Sequence, residues 1–273
     1  MYATDFKYDN VSLSSYGFVI CQFEDSGGLK DIEAGSPLTF KTVSRRKGNH
    51  YSLVDVSYDS ALEITFDICK DPCENSGSDM FLTDEEFFDL SRWLLRKEFC
   101  LLEFVGDIPD VHDYKRYYIG GFNITKLTID DKLAGLRLIF TANKPYAYGD
   151  TVTATLTINS ASGTATLTDN SYYTGITTPN LQVTLRAAGN LTLTNSATGS
   201  ITKVNNCSNN EVLTFDGENL IVTSSSSGHD IANDFNYEFL KMQNTTSSRT
   251  NTIQSSLPCT IVVTYKPIIR DAP

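Results

Sequence analysis

The sequence predicts a mainly β fold in two parts: an N-terminal α+β half with one main helix, and an all-β C-terminal half. Two observations support this prediction. A hairpin pattern over residues 117–149 ends at a proline, and from residue 150 the composition shifts to Ser, Thr and Asn with little charge. A chain of 273 residues is long enough to bury two cores. We therefore expect two domains, at 1–148 and 149–273.

The N-terminal half opens with two short strands over residues 5–21, joined by a turn. Residues 24–50 lack periodicity and are rich in Gly, Ser, Lys and Arg, which indicates an exposed loop or arm. The clearest strand pattern follows at 62–68, where apolar side chains alternate with polar ones. A further strand is expected at 101–104.

One helix is predicted between these last two strands. Thr83 and Glu86 form a capping-box pattern, in which each side chain bonds a backbone N–H that the helix start leaves unpaired. Trp93 is expected in the core or at its edge rather than as a platform for a ligand. The apolar stripe that packs on a sheet is expected to comprise Phe87, Leu90 and Leu94, widened by Phe88 and Leu95.

The hairpin is predicted from two arms that alternate with the period of two of half-buried strands. Asp130 and Asp131 mark its turn, and residues 143–145 end the second arm, because proline offers no N–H to a ladder. Gly120 and Gly121 predict a bulge or bend where the first arm enters. The alternating apolar residues are Phe122 and Ile124 on the first arm, and Leu136, Leu138 and Phe140 on the second.

The C-terminal half has the pattern of short strands separated by turns. In the segment TVTATLTIN, apolar residues alternate with threonine, which suits the solvent face of a strand. Similar patterns predict strands at 181–185, 191–193, 212–215, 220–222 and 261–265, with turns at 189–190, 209–210 and 216–217. Many short strands without a helical pattern between them are typical of an antiparallel sandwich or jelly roll.

Composition argues against several classes of partner. The net charge is −11, from 22 basic and 33 acidic residues without a basic stripe, so a nucleic-acid surface is not expected. No apolar run is long enough to cross a bilayer, and the N-terminus lacks a secretory pattern, so we expect a soluble protein made in the cytoplasm, without a membrane partner. Six scattered cysteines predict free, mostly buried thiols.

A zinc site is weakly indicated in the N-terminal half. Cys69 and Cys73 have a C-x3-C spacing, and His50 or His112 would complete the ligand set. Structural zinc sites usually show a second tight pair, which is missing here. Ordinary thiols at a strand end are the simpler interpretation.

Two further groups lie in the C-terminal half. Glu211, Asp216 and Glu218 offer carboxylates to calcium, although a hairpin turn accounts for this segment more simply. His229 and Asp230 resemble part of a hydrolase triad, but a nucleophile elbow is missing and a solvated loop explains them. We therefore predict no catalytic, cofactor-binding or metal site.

Several segments resemble a known family when they are taken together in order. They are FKYDNVSLSSYGFVICQFE, FFDLSRWLLRKEF, RYYIGGFNITK, LRLIFTANKPYAYGD, NNEVLTFDGEN, HDIANDFNYEF and IVVTYKPIIR. In this order they resemble the distal tail protein (Dit) family of long, non-contractile phage tails. The resemblance spans almost the whole chain.

The resemblance implies a structural protein rather than an enzyme, with no cofactor. It implies an N-terminal belt domain that closes a hexameric ring around the tail channel, and a C-terminal galectin-like β-sandwich outside it. Such a ring joins the tail tube protein to the tail-tip hub or tail-associated lysin protein, and in some phages receptor-binding proteins dock on it. The implied location is the virion, at the distal tail or baseplate, after assembly in the host cytoplasm. DNA would pass through the channel without specific binding, which an acidic lumen would favour.

Ring contacts are expected from the 24–50 arm and from the hairpin. A closed ring uses a heterologous interface, where one face of a subunit meets a different face of its neighbour. An exposed strand edge can pair with a neighbouring sheet. The alternative is that both segments are ordinary intradomain core. The hairpin contacts expected are Ile119, Phe122, Ile124 and Leu127.

The sequence leaves two other functions open. A carbohydrate-binding module acting in host-surface recognition would use Tyr172 and Tyr173, or Phe235 and Tyr237 around Asn236, although buried aromatics on a strand explain the FNYEF segment more simply. A cell-wall hydrolase would need a cluster of catalytic side chains, which three isolated histidines do not indicate.

Overall fold

A computed structural model describes residues 3–23, 36–44, 50–105 and 115–269. The chain divides into two compact units, Met1–Gly149 with Ile269–Pro273, and Asp150–Ile268. The described residues confirm the prediction of a mainly β fold with one main helix. Neither of their α-helices has the length and apolar character needed to span a membrane.

The described residues of the first unit form ten strands, the helix α1 and two short 3-10 helices. The strands are β1 (Asp5–Tyr8), β2 (Val11–Ser12), β3 (Phe18–Cys21), β4 (Leu38–Ser44), β5 (Tyr51–Tyr58), β6 (Glu63–Lys70), β7 (Cys100–Val105), β8 (Tyr117–Ile129), β9 (Lys132–Ala142) and β10 (Ala147–Tyr148). The helices are Leu13–Tyr16, Gly77–Met80 and α1 (Asp84–Leu94).

The strands and the helix α2 that follow are β11 (Val152–Ile158), β12 (Gly163–Thr168), β13 (Gly175–Thr177), β14 (Asn180–Leu185), β15 (Gly189–Asn195), β16 (Ile201–Cys207), β17 (Val212–Asp216), β18 (Ile221–Ser224), α2 (Ile231–Asp234), β19 (Met242–Asn244), β20 (Thr250–Ser255), β21 (Cys259–Tyr265) and β22 (Ile268–Ile269).

The main sheet of the first unit has the order β2-β1-β7-β8-β9-β6-β3, and β10 pairs with both β8 and β22. Its core contains the single tryptophan, as predicted. The Trp93 ring stacks on Phe6 with the centroids 5.5 Å apart, and its indole N–H donates to the Tyr8 carbonyl at 3.1 Å. A buried indole needs such an acceptor, so this bond ties α1 to β1.

The predicted hairpin is β8 and β9, and its turn lies at Asp130 and Asp131 as expected. Both residues have positive φ, 48° and 62°, which is typical of a tight two-residue turn. The pairing runs without a register shift through Gly120 and Gly121, and the shift lies between Leu127 and Thr128 instead. Gly120 serves close packing, since a Cβ there would lie 2.2 Å from the Thr141 carbonyl oxygen.

Helix α1 begins with the predicted capping box. The Thr83 hydroxyl accepts from the Glu86 N–H at 3.3 Å, and the Glu86 carboxylate accepts from the Thr83 N–H at 2.8 Å. The buried face is formed by Leu90, Trp93 and Leu94. The expectation that Phe88 and Leu95 widen this face is wrong. At about 100° per residue they project roughly 150° around the helix from Leu90, and both are exposed.

The segment 24–50 lies partly outside the described residues, at 24–35 and 45–49. Where it is described, one of the two predicted alternatives, a loop or an arm, is wrong: the segment is not a loop, because Leu38–Ser44 forms β4. The prediction of exposure is confirmed, since nearly every residue of this strand faces solvent. Periodic burial is absent from the strand, which is why the sequence pattern missed it.

The described part of the second unit has two large antiparallel sheets, β11-β21-β14-β17-β18 and β12-β20-β15-β16, and a two-stranded sheet of β13 and β19. The two large sheets form its main layers. Side chains from both sheets fill one core, so the unit is a β-sandwich. Strands β12 and β20 were not predicted because Thr and Asn outnumber their apolar residues, and β16 was not predicted because polar residues form more than half of it. The turn predicted at 189–190 is wrong, since these residues begin β15.

Candidate assembly surface and buried polar cluster

Strands β4 and β5 form a two-stranded antiparallel sheet of their own, here called the apolar ribbon. The register shifts between Lys41 and Thr42, where Val54 is the additional residue of β5. Directly opposed residues of an antiparallel pair project from the same face, so the register assigns each side chain to a face. The ribbon therefore has two distinguishable faces.

One face of the apolar ribbon is largely hydrophobic. It contains the cross-strand pairs Phe40 with Val56, Thr42 with Leu53, and Ser44 with Tyr51. The four apolar members are 40% to 66% exposed. The opposite face pairs Lys41 with Asp55 and Val43 with Ser52, which makes it mainly polar.

An exposed ribbon of this kind has a physical cost. A lone two-stranded ribbon is marginally stable in water, and contiguous exposed apolar surface usually marks an interaction site. Burial of these side chains against another surface would stabilise the ribbon. The apolar ribbon is therefore a candidate assembly surface.

A second exposed apolar surface lies on α1. Phe88 and Leu95 are seven residues apart, so they project from the same side of the helix, away from the core. They are 65% and 47% exposed. The first unit thus presents two different apolar surfaces, one on a ribbon and one on a helix.

The hairpin residues expected to make ring contacts are placed in different environments. Phe122 is buried in the core, where its ring lies against Phe140 with the centroids 5.0 Å apart, and Ile124 packs against the same core. Ile119 and Leu127 are half-buried. The intradomain-core alternative fits Phe122 and Ile124. Ile119 and Leu127 are therefore the two candidates for ring contacts that remain on the hairpin.

The residues considered for glycan binding are also divided. Phe235 is buried and forms an isolated bridge to Val204, so the FNYEF segment is not a strand. Tyr237 is exposed, and its hydroxyl donates to the Ala232 carbonyl at 2.7 Å. Tyr172 is exposed beside Arg249, and Tyr173 is half-buried.

The candidate metal ligands of the sequence do not assemble as expected. Cys69 is buried and Cys73 is exposed, as free thiols, and His112 lies outside the described residues. Asp216 accepts from the backbone N–H groups of Glu218 and Asn219 at 3.0 Å, which makes it the turn residue that the simpler interpretation required.

A buried polar cluster instead forms around His229. Its Nδ1 bonds Glu211 Oε1, and its Nε2 lies 3.3 Å from Asp234 Oδ2. The side chains of His229 and Glu211 are 3% and 1% exposed. The second oxygen of Glu211 accepts from the Ser208 N–H at 2.6 Å, and Oε1 also accepts from the Ser224 hydroxyl at 2.5 Å.

The electrostatics of the cluster favour the charged forms of both groups. Burial by itself would raise the pKa of Glu211, but the bonds from His229, Ser208 and Ser224 hold it below its usual value. Burial would lower the pKa of His229, but the bond to Glu211 and its charge raise it. Burial raises the pKa of the adjacent Cys207 thiol to about 11.

Sequence reasoning missed this cluster. Among the described residues, Cys207, Glu211 and His229 are the one group of three side chains placed to share a metal ion. From the sequence, His229 was grouped with Asp230 and Glu211 with Asp216, and neither of these two pairs is in contact in the cluster. The available signal was the C-x3-E spacing at 207–211, which is weak because the third residue lies 18 positions further on.

Comparison with known proteins places the chain in a family. The model described as "Phage tail protein N-terminal domain" matches residues 1–144, and "Phage tail C-terminal domain" matches residues 146–265. No curated protein matches the chain in sequence.

The fold of the chain is similar to that in the crystal structure of SPP1 Dit (gp 19.1). That protein is described as "a Paradigm of Hub Adsorption Apparatus in Gram-positive Infecting Phages". Its TM-score is 0.66 at 16% identity, over 96% of this chain and 98% of that chain. The resemblance to the Dit family is thus confirmed in fold, and the chain belongs to the phage tail proteins defined by these two domain models.

Proposed function

We propose that this phage tail protein is a distal tail protein, and that six copies form a ring that joins the tail tube to the tail tip. Family membership and the fold shared with SPP1 Dit support this role. The mechanism is assembly rather than turnover. The protein has no cofactor in this proposal, and it acts in the virion after assembly in the host cytoplasm.

The observation that supports ring formation most directly is the exposed hydrophobic face of the apolar ribbon. A cyclic ring requires two different surfaces on each subunit. The apolar ribbon supplies one, and the outward side of α1 with Phe88 and Leu95 supplies the other. Full burial of a Phe or Leu side chain contributes about 1.5–3 kcal/mol, so these residues would supply part of the free energy that offsets the entropy lost when neighbours associate.

The first unit forms the belt of the proposed ring. Ile119 and Leu127 of β8 are further candidates for contacts with a neighbour, because they are only half-buried. The tail tube protein would meet one side of the ring, and the tail-tip hub or tail-associated lysin protein the other. The net charge of −11 suits a channel through which DNA passes without binding.

The second unit is proposed to be the galectin-like domain on the outside of the ring. There it would dock receptor-binding proteins in host attachment. Tyr172 offers an exposed ring for a glycan as a second use of the same domain. Binding of the full chain to a glycan array, lost on Tyr172→Ala, is the result expected from that second use.

Negative-stain imaging of the purified full chain tests the ring. The proposal predicts rings with six outer lobes, and a mass of six chains of 30.2 kDa each, about 181 kDa. Particles that remain single chains at micromolar concentration would contradict the proposal. Rings with another number of subunits would contradict the hexamer but would still agree with an apolar interface between neighbours.

A further inference from the structure

The buried cluster around His229 has the composition of a metal site. Cys207 ends β16, Glu211 follows after a short turn, and His229 comes from the loop after β18. The thiol sulfur, a carboxylate oxygen and a ring nitrogen lie within 4.8 Å of one another. Three elements of the second unit therefore bring one sulfur, one oxygen and one nitrogen donor to a single point.

The turn between the first two residues is built to hold them. Asn210 adopts a positive φ of 60°, and the Glu211 N–H donates to the Ser208 carbonyl at 3.3 Å. The Ser208 N–H in turn donates to Glu211 Oε2 at 2.6 Å. These bonds aim the carboxylate of Glu211 back toward the end of β16, where Cys207 lies.

The donor set indicates the class of ion. A thiolate and an imidazole favour a borderline-soft cation, whereas calcium and magnesium take oxygen ligands. Tetrahedral zinc with bond lengths of about 2.0–2.3 Å places its ligands about 3.3–3.8 Å apart. The observed limit of 4.8 Å is within about 1.5 Å of this geometry, so metal binding would require the donor atoms to shift by up to about that distance.

The second nitrogen of His229 points to the same conclusion. Nε2 is buried and lies 3.3 Å from Asp234 Oδ2, and the ring also bonds the backbone carbonyl of Asn205. Asp234 is itself fixed, because its Oδ1 accepts from the Asn206 side-chain amide at 2.7 Å. A carboxylate behind a ligating histidine is the usual arrangement that orients the ring toward a metal.

We propose that Cys207, Glu211 and His229 bind a zinc-type divalent cation, with Asp234 as the residue that positions His229. On binding, the thiol proton of Cys207 and the Nδ1 proton of His229 pass to solvent, and three donor bonds replace the bond between His229 and Glu211. The fourth position is left for water. The ion would link β16, the turn after it and the loop before α2. This proposal departs from the sequence-based expectation of no metal site, and it is independent of ring formation.

Cobalt titration of the full chain, after treatment with EDTA and desalting, tests the proposal. The wild type is expected to bind one cobalt ion per chain, with a near-ultraviolet charge-transfer band from a cobalt–thiolate bond. Added zinc should displace the cobalt and remove the band. Absence of stoichiometric binding by the wild type overturns the proposal without reference to any variant.

Three variants locate the ion. Cys207→Ser should lose the band and Cys73→Ser, at an exposed thiol, should keep it. Asp234→Asn should keep the band and weaken zinc affinity by about 10–100-fold, as loss of an orienting carboxylate does. A band that survives in Cys207→Ser would show binding by other thiols and overturn the assignment. Circular dichroism of each variant without metal shows whether it has folded.

Discussion

Phe40 of β4 lies directly opposite Val56 of β5, and both side chains face solvent. Cross-strand apolar pairs normally stabilise a sheet by packing on a core. Among the described residues β4 and β5 pair only with each other, and Phe40 and Val56 are 61% and 40% exposed, so no core covers this pair. In the proposed ring, a neighbouring copy of the chain would cover this face.

Mixing two charge variants tests whether the apolar ribbon meets α1. Phe40→Glu and Phe88→Glu should each abolish the ring, because each places a carboxylate in an apolar contact. Together they should form dimers, since one variant retains an intact ribbon and the other an intact helix surface. Mass photometry or native mass spectrometry measures the mass of the particles formed by each variant and by the mixture. A full ring formed by Phe88→Glu alone would show that the outward surface of α1 is not a ring contact.

Loss of the helix cap should destabilise the first unit. Thr83→Ala leaves the Glu86 N–H without its acceptor and should lower the free energy of unfolding by about 1 kcal/mol. Urea unfolding followed by Trp93 fluorescence measures it, because Trp93 is the single tryptophan and lies in this core. Ser76→Ala is the matched control, since Ser76 precedes a 3-10 helix without a side-chain cap bond. Equal losses in both variants would show that the cap contributes nothing specific.

The same helix start should make stability depend on pH. Burial alone would raise the pKa of Glu86, but the ion pair with Lys70 at 2.7 Å and the Thr83 bonds lower it. A carboxyl whose pKa is lower in the folded state stabilises the protein above its unfolded value of about 4.3, and loses this effect as pH falls through the folded value. Glu86→Gln should therefore be less stable than wild type at pH 7, with the difference vanishing in acid. A constant difference across the titration would refute the linkage.

Removing one partner of the ion pair between β6 and β9 should cost more stability than replacing both partners with apolar residues. Arg137 binds Asp67 with two bonds, at 2.8 and 3.0 Å, and the Asp67 side chain is 7% exposed. Arg137→Met leaves that carboxylate buried without its cation and should cost roughly 2–3 kcal/mol, reduced because the Arg137 side chain is 33% exposed. Adding Asp67→Leu should restore stability to within about 1 kcal/mol. Urea midpoints of the three proteins decide this, and an additive loss in the double variant would argue against it.

Periodic elements of the fold were predictable from the sequence. Leu136, Leu138 and Phe140 alternate at the period of a strand and are buried in β9, and the two aspartates mark the turn that the structure contains. Helix α1 was predictable because Thr83 and Glu86 are a local signal that acts within one turn. These features depend on neighbours in sequence.

Other elements depend on partners far along the chain. Strand β20 contains one apolar residue, Ile253, and a buried amide bond joins it to β15. In this bond the side-chain amide of Asn195 donates to the side-chain carbonyl of Asn251 at 2.7 Å. Such a bond joins residues 56 positions apart, which no local pattern reveals. The apolar ribbon was missed for a different reason, because its strand β4 is exposed along nearly its whole length and shows no periodic burial.

The candidate sites show the same limit. The sequence left two roles open for Phe122, a ring contact or ordinary core, and the structure surrounds it with four aromatic rings of the core: Phe6, Tyr8, Phe66 and Phe140. His229 and Glu211 meet only because a loop folds over the end of β16. Spacing in sequence could not indicate either contact.

The native mass of two matched variants tests the central claim, that the apolar ribbon closes the ring. Phe40→Glu and Val43→Glu add the same charge at exposed apolar positions on opposite faces of the same strand. The account predicts that Val43→Glu keeps the wild-type mass of six chains, and that Phe40→Glu falls to the 30.2 kDa of one chain while remaining folded. A ring of unchanged mass in Phe40→Glu would contradict it.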